Sequence, residues 1–208
     1  MSPTRLTTTE SATDTPRTVP PGPGPHAAST TDAGHRTRGA HPSVDILRVA
    51  LGLVFLWAFL DKAFGWSYST GTDRAWVNGG SPTNGFLSHV NVGPLQSFFR
   101  DIAGKGWADW LFMLGLLGIG LALILGVALR IAAVGGTIMM LMMWAAEWPP
   151  AQFNSLGEAT GSSNPLIDYH IVYAIGLWVV LAVGSASALG AGRWWSSLSF
   201  VQRNRWAR

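Results

Sequence analysis

The chain has 208 residues, of which 48% are hydrophobic and only 12% charged, with a formal net charge of +3. Cysteine is absent, which excludes disulfides, thiolate metal sites, iron–sulfur clusters and a cysteine nucleophile from this chain. The positive charge is mainly arginine lying outside the apolar runs, a distribution that belongs to membrane topology and argues against nucleic-acid binding.

Residues 1–42 are rich in Thr, Pro, Ser, Gly and Ala, with "TVPPGPGPHAASTTDAG" at their centre. They carry too little large apolar surface to offset chain entropy, so they are expected to form a disordered tail. They also lack the apolar core of a signal peptide. The expected membrane domain covers residues 43–192, and a basic cytoplasmic segment follows at 193–208.

A membrane helix needs about 20 mostly apolar residues. Four stretches approach this length, at about 44–64, 107–129, 131–148 and 166–189. Arg130 marks a tight turn between the second and third, and Pro149-Pro150 end the third because proline cannot continue the hydrogen-bond ladder. Asn164 as N-cap and Pro165 at the first helical position open the fourth. The fragment 84–104 is interrupted by polar residues and by Gly93-Pro94, so it fits an interfacial or loop-packed helix better than a fifth span. The fold expected is therefore all-α: a polytopic four-helix transmembrane bundle.

Ten arginines, Arg48 and Arg130 among them, fall in the tail, the Arg130 turn and the two ends of the bundle on that side. The other side has Lys62, Arg74, Arg100 and Lys105. The positive-inside rule then places both termini in the cytoplasm and the long loop 65–106 outside. That loop is either a folded lid bearing Trp76 and Phe86 or a plain connector held by turns. Small residues repeat every four positions at Gly118, Ala122 and Gly126, and again at Gly184 and Ala188, as on helix-packing faces or simply as tolerated glycines.

The polar residues of the spans gather at the outer face: Asp61 and Lys62, Asp109, Glu147, then Asp168, Tyr169, His170 and Tyr173. Asp61, Lys62 and Asp109 are either helix-end residues at the headgroups or part of a site at the membrane face. His170 lies deeper and is either a proton-transfer group or a buried, hydrogen-bonded structural histidine. Helical spacing puts Asp168 about 200° from His170 around the axis, so Glu147 or Asp61 is the expected partner. At the opposite face Arg48 pairs with Asp45 three residues earlier or snorkels to the inner headgroups.

The segments "LRVALGLVFLWAFLDKAFGW", "GLALILGVALRIAA" and "NPLIDYHIVYAIGLW" resemble the helices of the DoxX/DoxD family of small bacterial membrane proteins, over about residues 44–190. The acidic residue expected midway along the second helix is absent from "LFMLGLLGIG". The resemblance to the DoxD-like branch implies the membrane subunit of a thiosulfate:quinone oxidoreductase. Such a subunit passes electrons to the membrane quinone pool of a bacterial plasma membrane. On that reading His170, Glu147 and Asp168 are the catalytic acid–base groups. Tyr173, Trp144 and Trp57 flank the quinone, Lys62 attracts the anionic substrate, and Arg48 with Asp45 is structural. Quinone is the only cofactor implied; no metal, haem or iron–sulfur cluster is expected in this chain. The partners implied are the lipid bilayer and a second oxidoreductase or rhodanese-like subunit. The competing reading is a non-enzymatic anchor for a soluble thiol-redox protein. A transporter is the least supported, because no internal repeat or broken helix is evident.

Overall fold

The computed structural model describes residues 42–183, 190–204 and 206. The tail expected at 1–42 lies outside these residues except for Pro42, which opens the first helix. α1 (Pro42–Phe64) is 23 residues long. Two single 3-10 turns and two short helices, α2 (Asn84–Leu87) and α3 (Gln96–Ile102), then lead to α4 (Gly106–Leu125). α5 (Leu129–Glu147) and α6 (Tyr169–Val183) complete the bundle, followed by α7 (Gly192–Ser197) and α8 (Ser199–Arg203). Among the described residues there is no named strand, only an isolated bridge between Phe153 and Ala159.

α1, α4 and α5 are each long and apolar enough to cross a membrane. α6 is apolar but has 15 residues, and the rest of its expected span, 184–189, lies outside the described residues. The four helices close a ring in which α1 meets α4, α4 meets α5, α5 meets α6 and α6 returns to α1. Leu51, Phe55, Met113, Leu116, Leu123 and Leu177 fill its centre. The outward faces are apolar too: Leu53, Leu111, Ile138 and Ile175 are all more than half exposed, as suits helices with hydrocarbon on their outer side.

Three helix ends differ from the sequence expectation. α4 stops at Leu125 instead of 129, because Gly126 takes the left-handed conformation (φ 72°) and caps it. The turn is thus 126–128, and Arg130 sits inside the first turn of α5. α6 begins at Tyr169 instead of Leu166. The Asn164 side chain does accept the N–H groups of Leu166 (2.9 Å) and Ile167 (3.0 Å), but the chain continues as a turn and not as a helix. Asp168 is the residue that caps: its carboxylate accepts from the N–H groups of His170 and Ile171, and its carbonyl accepts from Val172.

Arg48 does not snorkel to the headgroups. It is fully buried (0% exposed), lies 3.5 Å from Asp45, and donates to the carbonyls of Leu123 and Ile124 (3.0 Å to the latter). It thereby supplies a donor to the Ile124 carbonyl at the C-terminal end of α4 and a second one to that of Leu123, which also accepts from the Gly126 N–H.

The segment 84–104 packs as loop structure, with Val90 and Phe99 against Ala146 at the end of α5. Trp76 lies edge-on against Trp110, centroids 4.7 Å apart. The long connection is therefore a folded layer over one end of the bundle.

Candidate functional site

The end of the bundle that carries the loops also gathers the titratable groups. Two of the carboxylates are consumed by the loop itself. Asp61, 1% exposed, accepts from the N–H groups of Tyr68 (3.1 Å) and Ser69 (3.0 Å) and from the Ser69 hydroxyl (2.7 Å). Asp109 accepts from the Ser81 hydroxyl and from both the N–H and hydroxyl of Thr83 (3.0, 2.9 and 2.7 Å). Both act as staples, so Asp61 is not the partner of His170.

The partner is Asp168. Because Asp168 precedes the helix as its cap, the helical angle between positions 168 and 170 does not apply. Its Oδ2 lies 2.8 Å from His170 Nδ1, while Oδ1 takes the helix N–H groups. An ionised carboxylate can only accept, so the proton of this bond sits on Nδ1 and a neutral ring keeps its lone pair on Nε2. His170 is 0% exposed, and that Nε2 is buried without a hydrogen-bond partner among the described residues. The indole Nε1 of Trp144 is likewise buried and unpartnered.

Glu147 is the second acidic neighbour. Tyr169 donates its hydroxyl proton to Glu147 Oε1 at 2.9 Å, and the Tyr169 ring lies 4.0 Å, centre to centre, from that of His170. One donor atom from each of Glu147, Asp168 and His170 falls within 4.8 Å of the others. That spacing could hold a cation. The contacts seen, with Tyr169, with Nδ1 and with two N–H groups, already give these oxygens hydrogen-bond partners, so the cluster reads as a hydrogen-bond network joining α5 to α6.

In front of this network a groove of about 1120 Å³ runs between α4 and α5. Its polar end is lined by Lys62, Arg74, Glu147 and Tyr169, and it continues past Gly118 and Gly135 to Ala128 at the α4–α5 turn. Lys62 also donates to the Ser69 hydroxyl at 3.3 Å.

The remaining residues singled out by the sequence divide. Tyr173 lies beside Tyr169 with ring centres 6.0 Å apart, on the His170 side and outside the groove lining. Trp144 packs edge-on against Trp148. Trp57 belongs to a separate cluster with Trp66 and Tyr68 and does not line the groove. The sequence places Tyr169 at the helix opening and points to no role for it. Its contact with Glu147 depends on how α5 and α6 pack, which no local pattern encodes.

No curated protein and no solved structure matches the chain. The profile of one family, DoxX, matches residues 43–148, from α1 to the end of α5 and about half of the chain. The match stops short of Asp168, His170 and Tyr173 but takes in Arg48, Lys62 and Glu147, and by it the chain belongs to the DoxX family of membrane proteins.

Proposed function

We propose that this protein is the membrane subunit of a quinone-linked oxidoreductase, oxidising a sulfur compound such as thiosulfate and delivering electrons to the membrane quinone pool. The observation that carries the reading is the Asp168–His170 pair, its ring fully buried, next to the Tyr169–Glu147 pair at the polar end of a groove that is otherwise largely apolar. Coupling two thiosulfate ions to tetrathionate releases two electrons, which with two protons convert a quinone to its quinol. The chain's task on this reading is to hold the head group and manage protons.

Glu147 and Tyr169 line the groove; Glu147, when protonated, would donate to the quinone oxygen, and the Tyr169 hydroxyl, which donates to Glu147 Oε1, would orient that carboxyl. Behind them Asp168 fixes the tautomer of His170, whose ring would exchange a proton with Glu147 through a single water. Lys62 at the same end would attract an anionic donor. With no cysteine in the chain, the sulfur chemistry falls to a partner such as a second oxidoreductase or rhodanese-like subunit. The arginine distribution supports cytoplasmic termini in a bacterial plasma membrane, with the Glu147 end facing outward.

The test is solvent extraction of the purified protein and mass spectrometry of the extract, for wild type, His170→Ala and Glu147→Gln. The reading expects about one quinone per wild-type chain and a loss of most of it in both variants. No quinone in any of them, from protein whose helicity is intact, would overturn it in favour of an anchor that docks a soluble redox partner.

A further inference from the structure

Gly118 and Ala122 look in the sequence like a helix-packing stripe, yet the closest approach of α4 to the backbone of another helix is made by a different glycine. Gly120 faces Leu56 and Gly52 of α1, and a side-chain carbon there would lie 2.8 Å from the Leu56 nitrogen. At Gly118 the same carbon would meet nothing within 4 Å. Gly118 and Ala122 instead floor the groove from the α4 side, and Ala132 and Gly135 floor it from α5, with Ala128 of the turn at its end. Small residues on two facing helices thus hold a channel open where leucines would have closed it.

The lining selects the occupant. From Trp107 to Ala122 the α4 wall is roughly 22 Å long at 1.5 Å per residue, and every α4 residue that lines the groove is apolar. A single hydrocarbon chain can lie along such a wall. The polar end of the groove is continuous with Glu147 and Tyr169, so a chain lying in it would bring a head group to that pair.

We infer that the α4–α5 groove is a tail site for a long isoprenoid chain, making tail length the specificity determinant and Gly118 the residue that sets it. This rests on the quinone reading above.

Binding is tested on the full chain in lipid nanodiscs by quenching of tryptophan fluorescence, with quinones of identical head group and short or long isoprenoid tail. Wild type should bind the long-tailed quinone at least tenfold more tightly than the short-tailed one. Gly118→Leu and, separately, Ala122→Leu should remove that preference while leaving the short-tailed affinity within about twofold. Leu53→Phe, at an exposed position on α1 outside the groove, should change neither. Equal affinity for both tails in wild type, or a long-tail preference that survives both groove variants, overturns the tail site while leaving the head-group site in place. Binding of neither quinone overturns the quinone reading itself. Recovery of a tightly held phospholipid in place of quinone, lost in Gly118→Leu, would also overturn the tail site as an isoprenoid site.

Discussion

α4 presents glycine to two neighbours and the outcomes are opposite. Towards α1, Gly120 and Gly52 let the backbones meet, and Arg48 seals the far end of the seam by capping α4. Towards α5 the contacts are through side chains, Met139 against Gly115 and Ile119 beside Gly135, and Gly118 faces the open groove. A small residue in a membrane helix removes volume, and what fills the space depends on the facing helix: backbone on one side of α4, an open channel on the other. The closed seam is therefore where stability should reside, and the open seam where substitutions should be tolerated by the fold and felt by a ligand.

The largest effect should come from breaking the closed seam at its charged end. Arg48→Met removes the buried partner of Asp45 and uncaps Leu123 and Ile124, so a destabilisation of about 3–5 kcal/mol is expected. It should appear as a collapse of the thermal midpoint in detergent. Converting Asp45 to Asn in the same chain should recover part of the loss, and no recovery would mean that the capping bonds alone matter. Next is Gly120→Leu, which forces a side chain against the backbone of α1. A cost of about 3 kcal/mol is expected, measured in the same way.

These predictions rest on contacts that the sequence shows only in part. The spans themselves were legible, since runs such as "LFMLGLLGIGLALIL" leave no alternative to a buried or lipid-facing helix. Their ends were less so. Gly126 has the composition of a helix-packing glycine, and only its left-handed φ identifies it as a cap. Asn164-Pro165 is a good helix opening that a better one, Asp168, displaced. That displacement also hides the Asp168–His170 pair from helical spacing, because Asp168 lies outside the helix, where its side chain is free to fold back onto position 170. Arg48 points the same way: it was recognisable as structural, but its carbonyl partners lie about 75 residues along the chain.

A third test concerns the roof over the open seam. Asp109→Ala removes the acceptor for Ser81 and for both donors of the buried Thr83, and Ser81 and Thr83 line the groove. A loss of about 2 kcal/mol is expected, confined to the loop and not the bundle. Hydrogen exchange should therefore accelerate at residues 80–87 while the amides of α1 and the first half of α5 keep their protection. Uniform acceleration throughout would show that the loop and bundle open as one unit, and that the loop is not an independent cover.

The smallest effect is the sharpest check on the comparison. Gly118→Ala adds a methyl group where nothing lies within 4 Å, and it removes a glycine from the interior of a helix. The added methyl has no backbone to displace, and the helix becomes easier to form, so stability should stay within about 0.5 kcal/mol of wild type or rise slightly. Gly120→Ala, two residues away on the same helix, puts the same methyl 2.8 Å from the Leu56 nitrogen and should lower the thermal midpoint clearly. The pair differs in nothing but the helix it faces. If both substitutions proved equally costly, the α4–α5 helices would have to be closed against each other in the membrane, and the groove with its tail site would be lost together. If only Gly120→Ala is costly, the open seam is a stable property of the fold, kept by small side chains on both walls and available to a ligand without any helix having to move.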